Sequence, residues 1–212
     1  MFADDTSLLG HNKNVSHLQK QINDDLQVIS GWLQVNKLSL NVSKSHFMLF
    51  TRKLSIHDNL EITIDNIKIS RVTNLRFLGV TMDDKLTWKD HINHISKKIS
   101  KCIAILFKLK HFVCRDTLKS LYYTLAYPYF TYCNIIWGNT CDSYLSPLII
   151  LQKRIIRILS GNVPRLAHTE PLFRDLAILK FSDLHKYQIM QFMFNFIKGD
   201  TPEVFNHMFV YN

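Results

Sequence analysis

Two carboxylates stand side by side at Asp4 and Asp5, after Phe2-Ala3 and before Thr6-Ser7. Adjacent aspartates at the tip of a β-hairpin can hold a divalent cation that bridges phosphates. Hard cations take carboxylate oxygens, and such a turn aims both side chains into a cleft. Two aspartates beside Thr and Ser also make an ordinary turn or helix cap, so the pair alone leaves both readings open. A second pair, Asp83-Asp84, precedes Lys85-Leu86-Thr87-Trp88, where a turn or the approach to a helix is expected, and it is read as structural. His91 and His94 lie three apart near a helix start. They could meet one metal, but no third ligand accompanies them, and the alternative is a pair of surface histidines.

Other chemistry is poorly served by the sequence. Cys102, Cys114, Cys133 and Cys141 form no CxxC pair and have no zinc-ligand spacing. They are read as reduced, mostly buried thiols of an intracellular protein. Gly31, Gly79, Gly138 and Gly161 are isolated, which excludes a phosphate-cradling loop of the Walker or dinucleotide type. No nucleophile elbow is marked.

Positive charge is unevenly spread. Residues 1–90 carry 11 Lys+Arg against 10 Asp+Glu, and residues 91–212 carry 15 against 7, so nearly all of the net +9 lies in the second half. Lys97, Lys98, Lys101 and Lys108 fall off the apolar stripe of a helix. They could neutralise phosphates, giving salt-sensitive affinity that reads no base sequence; the alternative is a solvated helix face. Arg154 and Arg157 lie on a later helix, on what remains beside its many isoleucines.

The elements that would position these groups follow from periodicity. Leu18, Ile22, Leu26, Ile29 and Leu33 recur at spacings of four and three and predict an amphipathic helix over 18–33. A loop through Asn36 leads to residues 38–50, whose second half reads as a strand ending at Arg52-Lys53. Residues 60–64 and 67–69 read as strands joined by the turn pair Asp65-Asn66. Near residue 90 the period turns helical, with Ile92, Ile95, Ile99, Ile103 and Leu106 on one face. Further helices are expected over 116–127, ending before Pro128, over 145–159, and from Ser182 as N-cap to Lys198, with Gly199 and Pro202 as the stop. Tyr122, Tyr123, Tyr127, Tyr129, Phe130 and Tyr132 form an aromatic cluster, read as core in preference to a base-stacking platform.

In this order the FADD segment, the 18–33 helix, the Asn41-Val42-Ser43-Lys44 segment, Phe77-Leu78-Gly79, the 83–92 stretch and the helix bearing Leu151 to Arg157 resemble the reverse transcriptase of non-LTR, LINE-like and jockey-like retrotransposons. The resemblance implies that Asp4 and Asp5 are catalytic aspartates of a polymerase palm and hold Mg²⁺, with Asp4 the more direct ligand. It also implies that Lys44, in an NxxK segment, assists proton transfer to the leaving pyrophosphate. Phe77, Leu78 and Gly79 would form the hairpin that grips the primer terminus. An RNA template and a DNA primer are the implied partners.

The fold class expected is α+β: residues 1–90 a partial palm of antiparallel β-hairpins with a helix, and residues 91–212 an all-helical thumb-like region with a C-terminal extension. By the same resemblance the fingers, the template grip and the palm strand with the third aspartate precede FADD. Phosphoryl transfer rests on positioning and charge stabilisation, so the chain by itself is expected to be nearly inert. The alternatives are a non-catalytic basic nucleic-acid-binding helical module or a functionless genomic relic. No apolar run reaches about 18 residues, and the N-terminus is acidic where a signal peptide is basic. An intracellular protein of cytoplasm or nucleus, outside the membrane, is expected.

Overall fold

Asn14 starts the first helix: its side-chain oxygen accepts the N–H groups of Ser16 and His17 at 2.9 and 3.3 Å, satisfying donors that a helix start leaves orphaned. The structure, a computed structural model, describes residues 6–51, 60–161, 163–164, 167–206 and 208–209. The chain divides into two compact units, Met1–Leu86 and Thr87–Asn212. The class is α+β, and among the described residues no helix is long and apolar enough to cross a membrane.

In the first unit α1 spans Val15–Val35. The strands are β1 His46–Phe47, β2 Thr63–Ile64, β3 Ile67–Lys68, β4 Ser70–Arg71, β5 Asn74–Phe77 and β6 Val80–Asp83. Ile62, Ile64 and Ile69 make the core, with Ile22 and Leu26 of α1, Leu40, Val42, Phe47 and Leu60 packed around them. Polar pins fix α1 to this sheet. The Asn23 amide donates to the Glu61 carbonyl at 3.2 Å and accepts the Thr63 N–H at 3.1 Å, standing in for a neighbouring strand. The buried Ser30 hydroxyl donates to the Asp65 carboxylate at 2.6 Å.

Two hairpins are antiparallel. In β2–β3, Ile64 pairs with Ile67 across Asp65 and Asn66, whose φ values of 49° and 64° make the two-residue turn that the strand twist favours. The β1–β4 pair is parallel, with His46 opposite Ser70, which departs from the expected all-hairpin arrangement. The physical reason is that the β2–β3 hairpin intervenes, so the chain returns to β1 in the same direction. The expected strand up to residue 53 shrinks to His46–Phe47, and its end at Arg52-Lys53 lies outside the described residues.

The second unit is helical. α2 spans Lys89–Leu109, α3 Arg115–Leu125, α4 Tyr127–Thr131, α5 Asn134–Trp137, α6 Asp142–Leu159, α7 Glu170–Asp175 and α8 Phe181–Lys198. α2 packs against α6, α3 and α4 through Ile92, Ile95, Ile99, Cys102, Ile103 and Leu106. This is the isoleucine face read from the spacing. Pro147 inside α6 has no N–H for the Ser143 carbonyl, and the Ser146 hydroxyl donates to that oxygen instead at 3.1 Å.

Three expectations need correction here. The 116–127 helix does end before Pro128, but two residues early: α3 stops at Leu125, and a new turn begins at Tyr127 with Pro128 in its first turn, where the missing N–H costs nothing. α8 is capped at Lys180, not Ser182, because the acceptor for its first amide comes from another helix: Gln152 Oε1 takes the Phe181 N–H at 2.8 Å. Of the four thiols only Cys102 is buried. Cys114 and Cys141 precede α3 and α6 as cap residues, each exposed beside a hydroxyl, Thr117 or Ser143, whose hydrogen bond lowers the thiol's pKa.

Candidate functional site

α2 carries the basic face. At 100° per residue, Lys97, Lys101 and Lys108 fall within a narrow arc opposite the isoleucine stripe, and all three are exposed. Their rise is about 6 Å from Lys97 to Lys101 and about 10 Å on to Lys108. Lys98 is exposed too but sits on the flank of the helix, nearer the packed face. The expected set of four is therefore a stripe of three with one outlier. Asn93, Ser96, Lys97, Ser100 and Lys101 line one shallow, open depression along this helix. Asn93, Ser96 and Ser100 join the site although the lysines alone do not point to them. The signal that finds them is helical period applied to polar residues: the steps from Asn93 to Ser96, from Ser96 to Ser100 and from Lys97 to Lys101 are three and four.

Chemically the depression offers two ammonium groups, a carboxamide and hydroxyls. Ser100 Oγ already donates to the Ser96 carbonyl at 2.9 Å. The ammonium groups and the Asn93 carboxamide suit phosphate oxygens, which accept from them.

The arginines of α6 differ from each other. Arg154 is exposed, whereas Arg157 is half-buried and donates to the Ala167 carbonyl at 3.2 Å, tying the following loop to the helix. Arg157 thus spends part of its donor capacity inside the protein.

In the first unit, Phe77, Leu78 and Gly79 form the apex of the β5–β6 hairpin. Phe77 pairs with Val80 across Leu78 and Gly79, at φ 45° and 84°. Glycine adopts this backbone freely, but a leucine there is strained by its Cβ. Both Phe77 and Leu78 expose their side chains at the tip. Lys44 closes a 3-10 turn, Val42–Lys44, and is exposed.

Asp4 and Asp5, the expected Mg²⁺ ligands, lie outside the described residues. Among the described residues no group of three or more His, Cys, Asp and Glu side chains converges as a metal site. Asp83 and Asp84 are structural, as expected: Asp83 Oδ1 accepts the Lys85 N–H, and Asp84 pairs with Arg71 at 3.8 Å. His91 and His94 do not converge. His91 is buried edge-on to Trp137, with ring centroids 5.4 Å apart, and His94 is exposed.

The aromatic cluster divides. Tyr122 and Phe130 are fully buried, and burial pushes the Tyr122 phenol far above its usual pKa. Tyr123 and Tyr132 reach the surface.

No protein-family model and no solved structure matches the chain. Curated proteins do. The chain is 24% identical over 190 residues to a probable RNA-directed DNA polymerase from transposon X-element of Drosophila melanogaster, covering 88% of this chain and 21% of that protein. It is 23% identical over 185 residues to the RNA-directed DNA polymerase from mobile element jockey of the same fly, covering 86% and 20%. The chain has its curated homologues among non-LTR retrotransposon polymerases. A retrovirus-related Pol polyprotein from a type-1 retrotransposable element R1 of Nasonia vitripennis matches 54% of the chain at 23% identity. The chain spans about a fifth of the length of the first of these retrotransposon relatives. The expected retrotransposon resemblance is thereby borne out, and the partial coverage agrees with a fragment of such a polymerase.

Proposed function

We propose that this chain is the C-terminal palm and thumb part of an RNA-directed DNA polymerase of a non-LTR retrotransposon. The observation that carries the reading is similarity to such polymerases along 82–88% of the chain in four curated relatives. In this reading the Phe77-Leu78-Gly79 hairpin lies against the primer terminus. Lys97, Lys101 and Lys108 hold the phosphate backbone of the primer and its RNA template, with Lys98 and Arg154 supplementing the charge and Arg157 contributing least. Asp4 and Asp5 would hold Mg²⁺, which supplies charge stabilisation to phosphoryl transfer; Lys44 would assist the leaving pyrophosphate.

Phosphoryl transfer needs every reacting group held in position, and in this reading the chain supplies only part of a polymerase's set while keeping the basic face of α2. The chain alone therefore binds a primer–template duplex and extends no primer. The experiment is a templated extension assay with Mg²⁺, run beside a binding measurement on the same duplex. Binding without extension agrees with the proposal; extension that Asp4→Ala abolishes would refute the inactivity, and absence of binding would refute the whole reading.

The second reading, a basic module that holds nucleic acid without any part in polymerisation, is favoured by the concentration of charge. Residues 91–212 hold 15 Lys+Arg against 7 Asp+Glu. The two readings separate at the hairpin, because only the polymerase part needs Phe77 and Leu78 to hold a primer 3′ end.

A further inference from the structure

The C-terminal end of α2 and the turn after it read Phe107-Lys108-Leu109-Lys110-His111-Phe112, two aromatic rings with two lysines and a histidine between them. Both rings meet solvent. Phe107 is 53% exposed and Phe112 84%, the latter on a turn held by its own N–H, which donates to the Leu109 carbonyl at 2.9 Å. Lys110 Nζ stands 4.5 Å from the Phe107 ring centroid, and Phe107 keeps that exposure with the ammonium in place.

Phe107 belongs to no apolar face. One turn back its neighbours on the helix are Ala104 and Ile103, the latter buried in the core; two turns back is Ser100, and one turn on is Lys110. Ile105, the other exposed large apolar residue of α2, lies about 160° around the helix. A docking helix needs apolar residues repeated at spacings of three and four, and α2 offers none around this ring. Ser100 and Phe107 are seven residues apart, so they lie almost on one line of the helix, about 10 Å from each other. Ser100 lines the depression with Asn93, Ser96, Lys97 and Lys101. The ring stands further along that line, next to Lys108.

Charge selects the occupant. Residues 91–115 hold six Lys and Arg and no Asp or Glu. Of these six, among the described residues, only Arg115 is ion-paired, with Asp175. The five lysines draw a polyanion, and a lone ring among them is complemented by a flat apolar face carried on that same polyanion. A nucleic-acid strand has both, phosphates and bases, and its bases offer their faces when they are unpaired. A duplex keeps those faces stacked on one another, so it would meet the lysines and leave the rings bare.

We propose that Phe107 and Phe112 form a stacking platform for unpaired bases, so that this end of α2 holds a single-stranded nucleic-acid segment whose phosphates lie on Lys101 and Lys108. The inference rests on the reading of α2 as a phosphate-binding face and adds to it a contact with bases.

The test uses the full chain and two fluorescein-labelled strands of equal charge. One is oligothymidylate of about twelve nucleotides, within the usual range of single-strand sites, and the other is the same backbone with an abasic tetrahydrofuran at every position. Anisotropy titration at one salt concentration is expected to show the strand with bases binding at least about tenfold more tightly. Phe107→Leu and Phe112→Leu, which keep an apolar side chain but remove the ring, each weaken the strand with bases by about fivefold or more and leave the abasic strand unchanged. Phe107→Trp keeps the preference, and Lys108→Ala weakens both strands alike.

Equal binding of the two strands, or a Phe107→Leu variant that retains the full preference, overturns the platform and leaves the phosphate-binding face standing. Equal weakening of both strands by Phe107→Leu also overturns it, because the ring would then support the fold and no base. Binding of neither strand overturns the platform together with the reading on which it rests. A concentration-dependent dimer in sedimentation that Phe107→Ser dissolves, with no preference between the strands, overturns it in favour of a second copy as the occupant.

Discussion

Gln152 of α6 holds the start of α8 through Phe181: its Oε1 accepts the Phe181 N–H at 2.8 Å while its Nε2 donates to the Leu179 carbonyl at 2.9 Å. The side chain is 1% exposed, so the amide replaces water for two backbone groups at once. Replacing it by leucine keeps the volume and leaves both groups unsatisfied. Gln152→Leu is expected to lower stability by about 2–4 kcal/mol, one buried unmade hydrogen bond costing about 1–3 kcal/mol. Urea unfolding followed by circular dichroism measures it, and an unchanged midpoint would show that α8 does not depend on this cap.

Leu78 at φ 45° is strained in the β5–β6 turn, where asparagine or glycine is the favoured residue. Leu78→Asn is therefore expected to raise the stability of the chain by about 1 kcal/mol. If the exposed tip holds a primer end, the same change weakens binding to a recessed 3′ terminus and leaves binding to a blunt duplex alone. Thermal unfolding and paired binding titrations separate the two effects. A variant that gains no stability and keeps its end-specific binding would contradict both the strain and the role.

His185 supplies a pH dependence with a defined sign. Its Nδ1 lies 2.6 Å from Asn134 Oδ1, in a site so close that a Cβ on Gly138 would come within 2.6 Å of the same nitrogen. Among the described residues its Nε2 is buried without a hydrogen-bond partner. Burial holds the folded-state pKa below the ordinary 6.5. Between the two values the unfolded chain binds more protons than the folded one, so stability rises with pH there. It is complete above the unfolded pKa and lost as pH falls from about 6.5 towards the folded value. Unfolding midpoints at pH 7.5 and 5.5 are expected to differ more for the wild-type chain than for His185→Gln; equal differences would contradict the assignment.

Much of this architecture is legible before any coordinates. The α2 isoleucines announce their face because a period of 3.6 sustained over five residues fits a helix and no strand. Asp65-Asn66 announces its hairpin because two consecutive positive φ values suit that pair. The cap of α8 is not legible, since Ser182 looks like one locally and the true acceptor, Gln152, is 29 residues from Phe181 in sequence. The parallel pairing of His46 with Ser70 is hidden for the same reason: nothing in a two-residue strand encodes its partner. In the candidate site, the lysines are legible as a helix face, whereas the outlying position of Lys98 and the internal bond of Arg157 need the fold. Asp4 and Asp5 rest on the resemblance to retrotransposon polymerases, and the described residues add nothing to them.

The central claim is that α2 presents a stripe of phosphate-binding lysines as part of a polymerase. It is tested most directly by the salt dependence of binding to an RNA–DNA primer–template. Each phosphate that is no longer neutralised reduces the slope of log affinity against log salt by about 0.9. The triple change Lys97→Ala, Lys101→Ala and Lys108→Ala is expected to reduce the slope by about 2–3 units, while Lys98→Ala changes it by well under about one. A slope unaffected by the triple change, or affected equally by Lys98→Ala alone, would contradict the account.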